Sequence, residues 1–187
     1  EFLDALMDRA LEWWVALAVA VLDEVGPYVD VIGFGDDVAF HDRPMIDLTR
    51  YRRLFKPRHA RMVEELKARS KAQVLYHCCG AVVPLIDEFI DIGMDALNPV
   101  QVSSKGMGDT AELKARFGDR ICFWGGIDTG HVLPSGTPAE VRAEVELRIR
   151  DLSPGGGFVL ASVHNIQEGV PPENILAMVD AALEAGG

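Results

Sequence analysis

The feature that most constrains the fold of this chain is a fivefold alternation of short apolar runs with longer amphipathic ones. "YVDVIGFG" (28–35), "AQVLYH" (72–77), "DALNPVQ" (95–101), "RICFWGG" (120–126) and "GFVLAS" (157–162) are short and bounded by turn or polar residues, which predicts strands. Helices are predicted over 48–70, 83–93, 109–118, 138–151 and 171–186. Gly93 and Gly118 close two of them, Thr137 and Pro138 open the fourth, and Pro172 sits near the start of the last. A leading helix carries Leu3, Met7, Leu11, Trp14 and Leu22 at helical spacing until Gly26-Pro27 stops it. Apolar strand cores and short links call for parallel strands covered by helices. The prediction is a single α/β domain over 1–187, with a leading helix in 1–27 and about five parallel β/α units in 28–187.

In such a fold chemistry collects at the C-terminal ends of the strands, where the loops converge. Every predicted strand delivers polar residues there. Asp36 and Asp37 follow the first, His77 and Cys79 end the second, and Asn98 and Gln101 follow the third. Gly125, Gly126 and Asp128 follow the fourth, and His164, Asn165 and Gln167 the fifth. Within "VLYHCCGAVVPLID" (74–87), alternation points His77 and Cys79 to one side and Cys78 to the other, and Gly80 lets the chain turn away. A His-x-Cys pair at a strand mouth supplies two of the three protein ligands of a catalytic zinc. His164 is the preferred third ligand. The rival, Cys122, lies inside a strand and is expected deep in the core. Cys78 is expected to be a small buried hydrophobe, and His41, His59 and His131 solvated or capping residues. Asp36, Asn98 and Gln101 have a bland alternative as solvated or capping loop residues. "GGG" at 155–157 precedes a strand and reads as a turn rather than a phosphate cradle.

Eighteen basic residues against 29 acidic ones give a net charge of −11, which argues against nucleic acid or an anionic membrane surface as a partner. The longest apolar run, "WWVALAVAVL" (13–22), falls short of the ~20 residues that a membrane helix needs. Three cysteines, two of them adjacent, suit thiols kept reduced, so a cytoplasmic location is expected.

The runs "YHCCG…VPLIDEFIDIGMDALNPVQ", "LKARFGDRICFWGGIDT…LPSGTPAEV" and "GGGFVLASVHNIQEGVPPENILAMVDA" resemble the uroporphyrinogen decarboxylase superfamily, and within it the corrinoid-dependent (methylcobamide) methyltransferase-like branch. "DVIGFGDDVAF" fits the same pattern, so the resemblance covers roughly 28–185. It implies a TIM (β/α)8-type barrel of which this chain holds the C-terminal part, since a whole barrel takes ~250 residues. Five strands would leave two open edges and an exposed apolar lumen face, so a homodimer is expected, with a non-catalytic half-barrel fragment as an alternative.

The branch implies a zinc bound by His77 and Cys79, with the third ligand after the last strand. There the methyltransferases carry Cys and this chain has His164. The decarboxylases also have a His near that position, used for substrate carboxylates, but lack the His-x-Cys-Gly block. The implied activity is zinc-dependent methyl transfer between a corrinoid (cobalamin) on a carrier protein and a small thiol or methylated substrate. The alternative is uroporphyrinogen decarboxylation. Asp36 and His164 are the implied catalytic residues, and Asp37, Asn98, Gln101 and Asp128 the implied substrate-binding ones.

Overall fold

Five strands lie side by side in chain order, all parallel, in a computed structural model that describes residues 1–185. They are β1 (Val31–Gly35), β2 (Gln73–His77), β3 (Ala96–Val100), β4 (Cys122–Ile127) and β5 (Phe158–Ser162). The helices are α1 (Phe2–Val25), α2 (Leu48–Arg50), α3 (Lys56–Arg69), α4 (Ile86–Asp91), α5 (Thr110–Phe117), α6 (Val132–Ser135), α7 (Pro138–Leu152) and α8 (Pro172–Ala185). Consecutive parallel strands as neighbours, each followed by helix, is the winding of a partial β/α barrel.

The helix predicted over 48–70 is in three pieces. Pro57 has no N–H to bond the carbonyl four residues back and its ring crowds that carbonyl. The chain answers with a π turn over Tyr51–Phe55, in which the Lys56 N–H donates to the Tyr51 carbonyl five residues back. Pro84 likewise turns the start of the next predicted helix into a 3-10 turn, Val83–Leu85, ahead of α4. The first strand starts at Val31 rather than 28, because Gly26–Tyr28 extends α1 as a 3-10 turn. Thr137 caps α7 as predicted. Its side chain accepts from the Glu140 N–H while the Glu140 carboxylate accepts from the Thr137 N–H. The end of the last predicted helix, residue 186, lies outside the described residues.

Strand alternation divides the sheet into two unlike faces. Val74 and Tyr76 of β2, Leu97 of β3 and Phe123 of β4 are fully buried against the helix layer, together with Leu85, Phe89 and Phe117. The opposite face carries Val31, Leu75 and Trp124, none of them fully buried. Cys122 belongs to this second face. It opens β4 in register with Ala96, which itself pairs with Leu75, and it is partly exposed. The expectation that Cys122 lies deep in the core therefore fails: five strands do not close over their own inner face.

Among the described residues β1 pairs only with β2 and β5 only with β4, so both sheet edges are open, as expected. Apolar helix surface flanks each edge. Phe2, Leu6, Trp13, Trp14 and Val21 of α1 are exposed, and so are Leu176, Val179 and Leu183 of α8. A groove of about 690 Å³ runs between α1, β1 and α3. Among the described residues no helix is long and apolar enough to cross a membrane.

Candidate metal centre

The site forms where β1, β2 and β3 end. β2 stops at His77, and the two residues after it turn opposite ways. Cys78 is fully buried, its sulfur 3.5 Å from the Val38 N–H that donates to it, and burial pushes its thiol up to about 12. Cys79 turns to the other side, where its Sγ lies 3.3 Å from His77 Nε2. The His-x-Cys spacing of the sequence thus brings a ring nitrogen and a sulfur to contact distance.

A hydrogen-bond chain fixes which His77 nitrogen is free. Asn98 stands opposite His77 in the β2–β3 register, and its Oδ1 is 2.6 Å from His77 Nδ1. The Asn98 Nδ2 donates to the Trp124 carbonyl at 3.3 Å, so the amide cannot turn around without losing that bond. An amide oxygen only accepts, so Nδ1 carries the proton and Nε2 offers its lone pair toward Cys79. This is how proteins prepare a histidine for a metal. Asn98→Ala is expected to weaken zinc binding by roughly 10–100-fold with His77 and Cys79 intact, measured by chelator competition.

Asp37 completes a group of three. Its Oδ1 accepts from the Cys79 N–H at 2.8 Å, and ligand atoms of Asp37, His77 and Cys79 all lie within 4.8 Å of one another. His164, on the loop after β5, brings Nδ1 to 4.0 Å from the Cys79 sulfur. Its pKa is lowered, chiefly by burial and next by the neighbouring His77, which leaves a neutral imidazole at physiological pH. The Cys79 thiol is pushed up to about 12, first by burial and then by the Asp37 charge. Without a cation beside it this thiol keeps its proton. Neutral nitrogen, sulfur and carboxylate oxygen around one point form a donor set that suits zinc.

The other predicted site residues are placed apart from this group. Gln101 is buried, and its Oε1 accepts from the Gly80 N–H at 2.7 Å, supporting the turn after Cys79. Asp128 is buried in its own turn, with Oδ1 accepting from the Gly130 N–H at 2.8 Å and Oδ2 3.1 Å from His131 Nδ1. The Asp36 carboxylate faces away from the cysteine toward His59, whose Nε2 is 3.3 Å from Oδ2.

Of the histidines expected to be solvated or capping, His41 is exposed as expected and His59 is not. His41 bridges Gln101 Nε2 at 3.2 Å and Ser104 Oγ at 3.3 Å. His59 is buried among Phe34, Tyr51, Phe55 and Tyr76. A signal for His59 was present: it precedes Met62, Val63 and Leu66 at helical spacing, on the face that α3 buries.

Residues 1–185 match the family model described as uroporphyrinogen decarboxylase (URO-D). Methylcobamide:CoM methyltransferase MtaA of Methanosarcina barkeri is 29% identical over 181 residues, which are 97% of this chain and 48% of that protein. A uroporphyrinogen decarboxylase of Psychromonas ingrahamii is 38% identical over 76 residues, 41% of this chain and 21% of that protein. A solved methyltransferase from Methanosarcina mazei shares the fold, with a TM-score of 0.76 over 98% of this chain and 50% of that one, at 24% identity. The chain spans about half the length of the methyltransferases it matches. With the strand order, the helix spacing and the match over 1–185 in agreement, the chain belongs to the uroporphyrinogen decarboxylase family.

Proposed function

We propose that this chain carries the thiol-activating part of a zinc-dependent methyltransferase, which moves a methyl group between a corrinoid on a carrier protein and a small thiol. The observation that carries the reading is the pair His77 Nε2 and Cys79 Sγ at 3.3 Å, with the His77 proton tied down on the other nitrogen by Asn98. Similarity to a methylcobamide:CoM methyltransferase along 97% of the chain supports it. His77 and Cys79 would hold the ion, and Asp37 and His164 are the two side chains within reach of a further position. A zinc ion there would supply the positive charge that lets a substrate thiol ionise near neutral pH. Asn98 keeps the imidazole in its binding tautomer. Asp37 holds the backbone of Cys79 in place through its N–H. The reading includes a cytoplasmic location and a homodimer, the latter supported by the two open sheet edges and the apolar faces of α1 and α8 beside them.

The test is zinc-loaded protein given free methylcobalamin and 2-mercaptoethanol, with the methyl thioether followed by mass spectrometry. Zinc-dependent thioether formation is the expected result. Stoichiometric zinc without thioether would sink the reading. Decarboxylation is the second reading, favoured by the 38% identity to a decarboxylase over 76 residues. Conversion of uroporphyrinogen III to coproporphyrinogen would establish it instead.

A further inference from the structure

The sheet face that carries His77 is uncharged and, around the metal group, mostly apolar. None of the five strands contains Lys, Arg, Asp or Glu. At the level of His77 the register runs from Gly35 through His77 to Asn98. Asn98 reaches the Trp124 carbonyl at 3.3 Å, which puts Trp124 next in the row, and Val159 on β5 pairs with Trp124. Phe123 is fully buried on the helix side, so alternation turns the Trp124 indole to the His77 side, where it is partly exposed. Leu75 lies one step below His77 on the same face, and Ala96 and Cys122 continue that lower row. On the β1 side of His77 and Leu75 stand Gly35 and Gly33, which add no side chains. Neighbouring strands lie about 4.8 Å apart, so Trp124 is roughly 10 Å from His77 across the sheet. A two-carbon chain with a ring at its end spans that gap from a sulfur held beside Cys79.

The charges at the strand mouths favour no anion. Asp37 is part of the metal group itself. On the loops that follow the strands the only Lys and Arg are Arg43 and Lys105. Arg43 is paired with Asp42 and lies over the Phe40 ring. That leaves Lys105, on the loop after β3, as the one cation an anionic thiol could meet. Apolar walls with a few placed polar groups suit a ligand whose own body is apolar.

Resting on the metal-site reading, we infer that the substrate thiol is neutral and carries an apolar body of about one aromatic ring, and that Trp124 selects it. The indole packs against that body while the sulfur sits at the zinc, an arrangement in which an aromatic pair gains beyond simple burial. Trp124 is a specificity residue, with no part in holding the metal through its side chain.

The experiment is calorimetric titration of zinc-loaded protein with 2-phenylethanethiol, 2-mercaptoethanol and 2-mercaptoethanesulfonate. The aromatic thiol is expected to bind at least about tenfold more tightly than the sulfonate, which is ~1.4 kcal/mol. Trp124→Ala removes the preference and keeps the zinc, because Asn98 bonds the carbonyl of residue 124 and not its ring. Trp124→Phe keeps part of it. A second readout leaves the indole in place. Trp13 and Trp14 are exposed on α1, so the double variant Trp13→Phe/Trp14→Phe makes Trp124 the sole source of indole emission. That emission is expected to shift when 2-phenylethanethiol is added and to stay put with 2-mercaptoethanol. Equal affinities, a preference for the sulfonate, or an unmoved emission overturns the inference alone. A sulfonate preference that Lys105→Ala abolishes would assign selection to Lys105 instead. Protein that takes up no zinc overturns the metal-site reading and this inference with it, and elemental analysis tells the two failures apart.

Discussion

Replacing Cys79 or His77 by alanine is expected to remove zinc from the protein, while replacing Cys78 leaves it bound. A fully ligated protein zinc site is worth ~10–16 kcal/mol, so one ligand carries roughly 3 kcal/mol, more than a hundredfold in affinity. Cys79 and His77 place their donor atoms 3.3 Å apart, and among the described residues Cys79 supplies the only sulfur of the group. Cys78, one residue away, points into the core and is fully buried. Its replacement by alanine tests stability rather than metal binding. Wild type is expected to hold about one zinc per chain after exposure to the metal, with Cys79→Ala and His77→Ala near zero after the same dialysis. Elemental analysis reads the content, and competition with a chromophoric chelator reads the affinity. Wild-type zinc retention by Cys79→Ala would remove the site from consideration.

Gly80→Ala is the second large effect, and it acts through the backbone. Gly80 has φ +97°, and a Cβ there would stand 2.6 Å from the Phe40 carbonyl oxygen and 2.9 Å from that of Ala39. Left-handed backbone costs a non-glycine residue ~1–2 kcal/mol before any clash. Here the clash is with main-chain atoms, which no rotamer change can move. The Phe40 carbonyl is also the acceptor of the Ala81 N–H at 2.8 Å, so the loop after β1 cannot retreat without breaking that bond. A loss of at least ~3 kcal/mol is expected, seen as a lower urea midpoint at unchanged slope, together with weaker zinc binding because Cys79 precedes the displaced turn. Gly155→Ala is the control. Gly155 has φ +77° but nothing within 4 Å of an added Cβ, so it pays the conformational cost alone. Equal destabilisation by both substitutions would mean that the Phe40 contact is not the cause.

The alternation of strand and helix, the capping of α7 and the placing of His77 and Cys79 on one side were legible because each is written in residues near one another in sequence. Strand alternation sorted Cys78 from Cys79 with no tertiary information. What stayed hidden depends on distant partners. Asp36 meets His59 across 23 residues, and Gln101 meets the Gly80 N–H across 21. No local spacing reveals either contact, so Gln101 read as substrate-facing although it supports a turn, and His59 read as bland although it is buried. Asp128 looked like one of a ring of strand-end residues, but its carboxylate is taken up by the turn that leads into α6. Cys122 was misplaced for another reason: burial inside a strand presumes a filled barrel interior, and five strands leave that face open.

The Asn98 link to the Trp124 carbonyl has a consequence for assembly of the sheet. It makes the imidazole proton on β2 answer to a main-chain oxygen two strands away. If β3 and β4 joined out of register, the Asn98 amide would be free to turn and present its NH₂ to His77 Nδ1. The proton would then move to Nε2 and cover the lone pair that faces Cys79. Metal uptake at His77 and Cys79, as proposed, would in that sense be a proofreading signal, given only when three neighbouring strands have paired correctly.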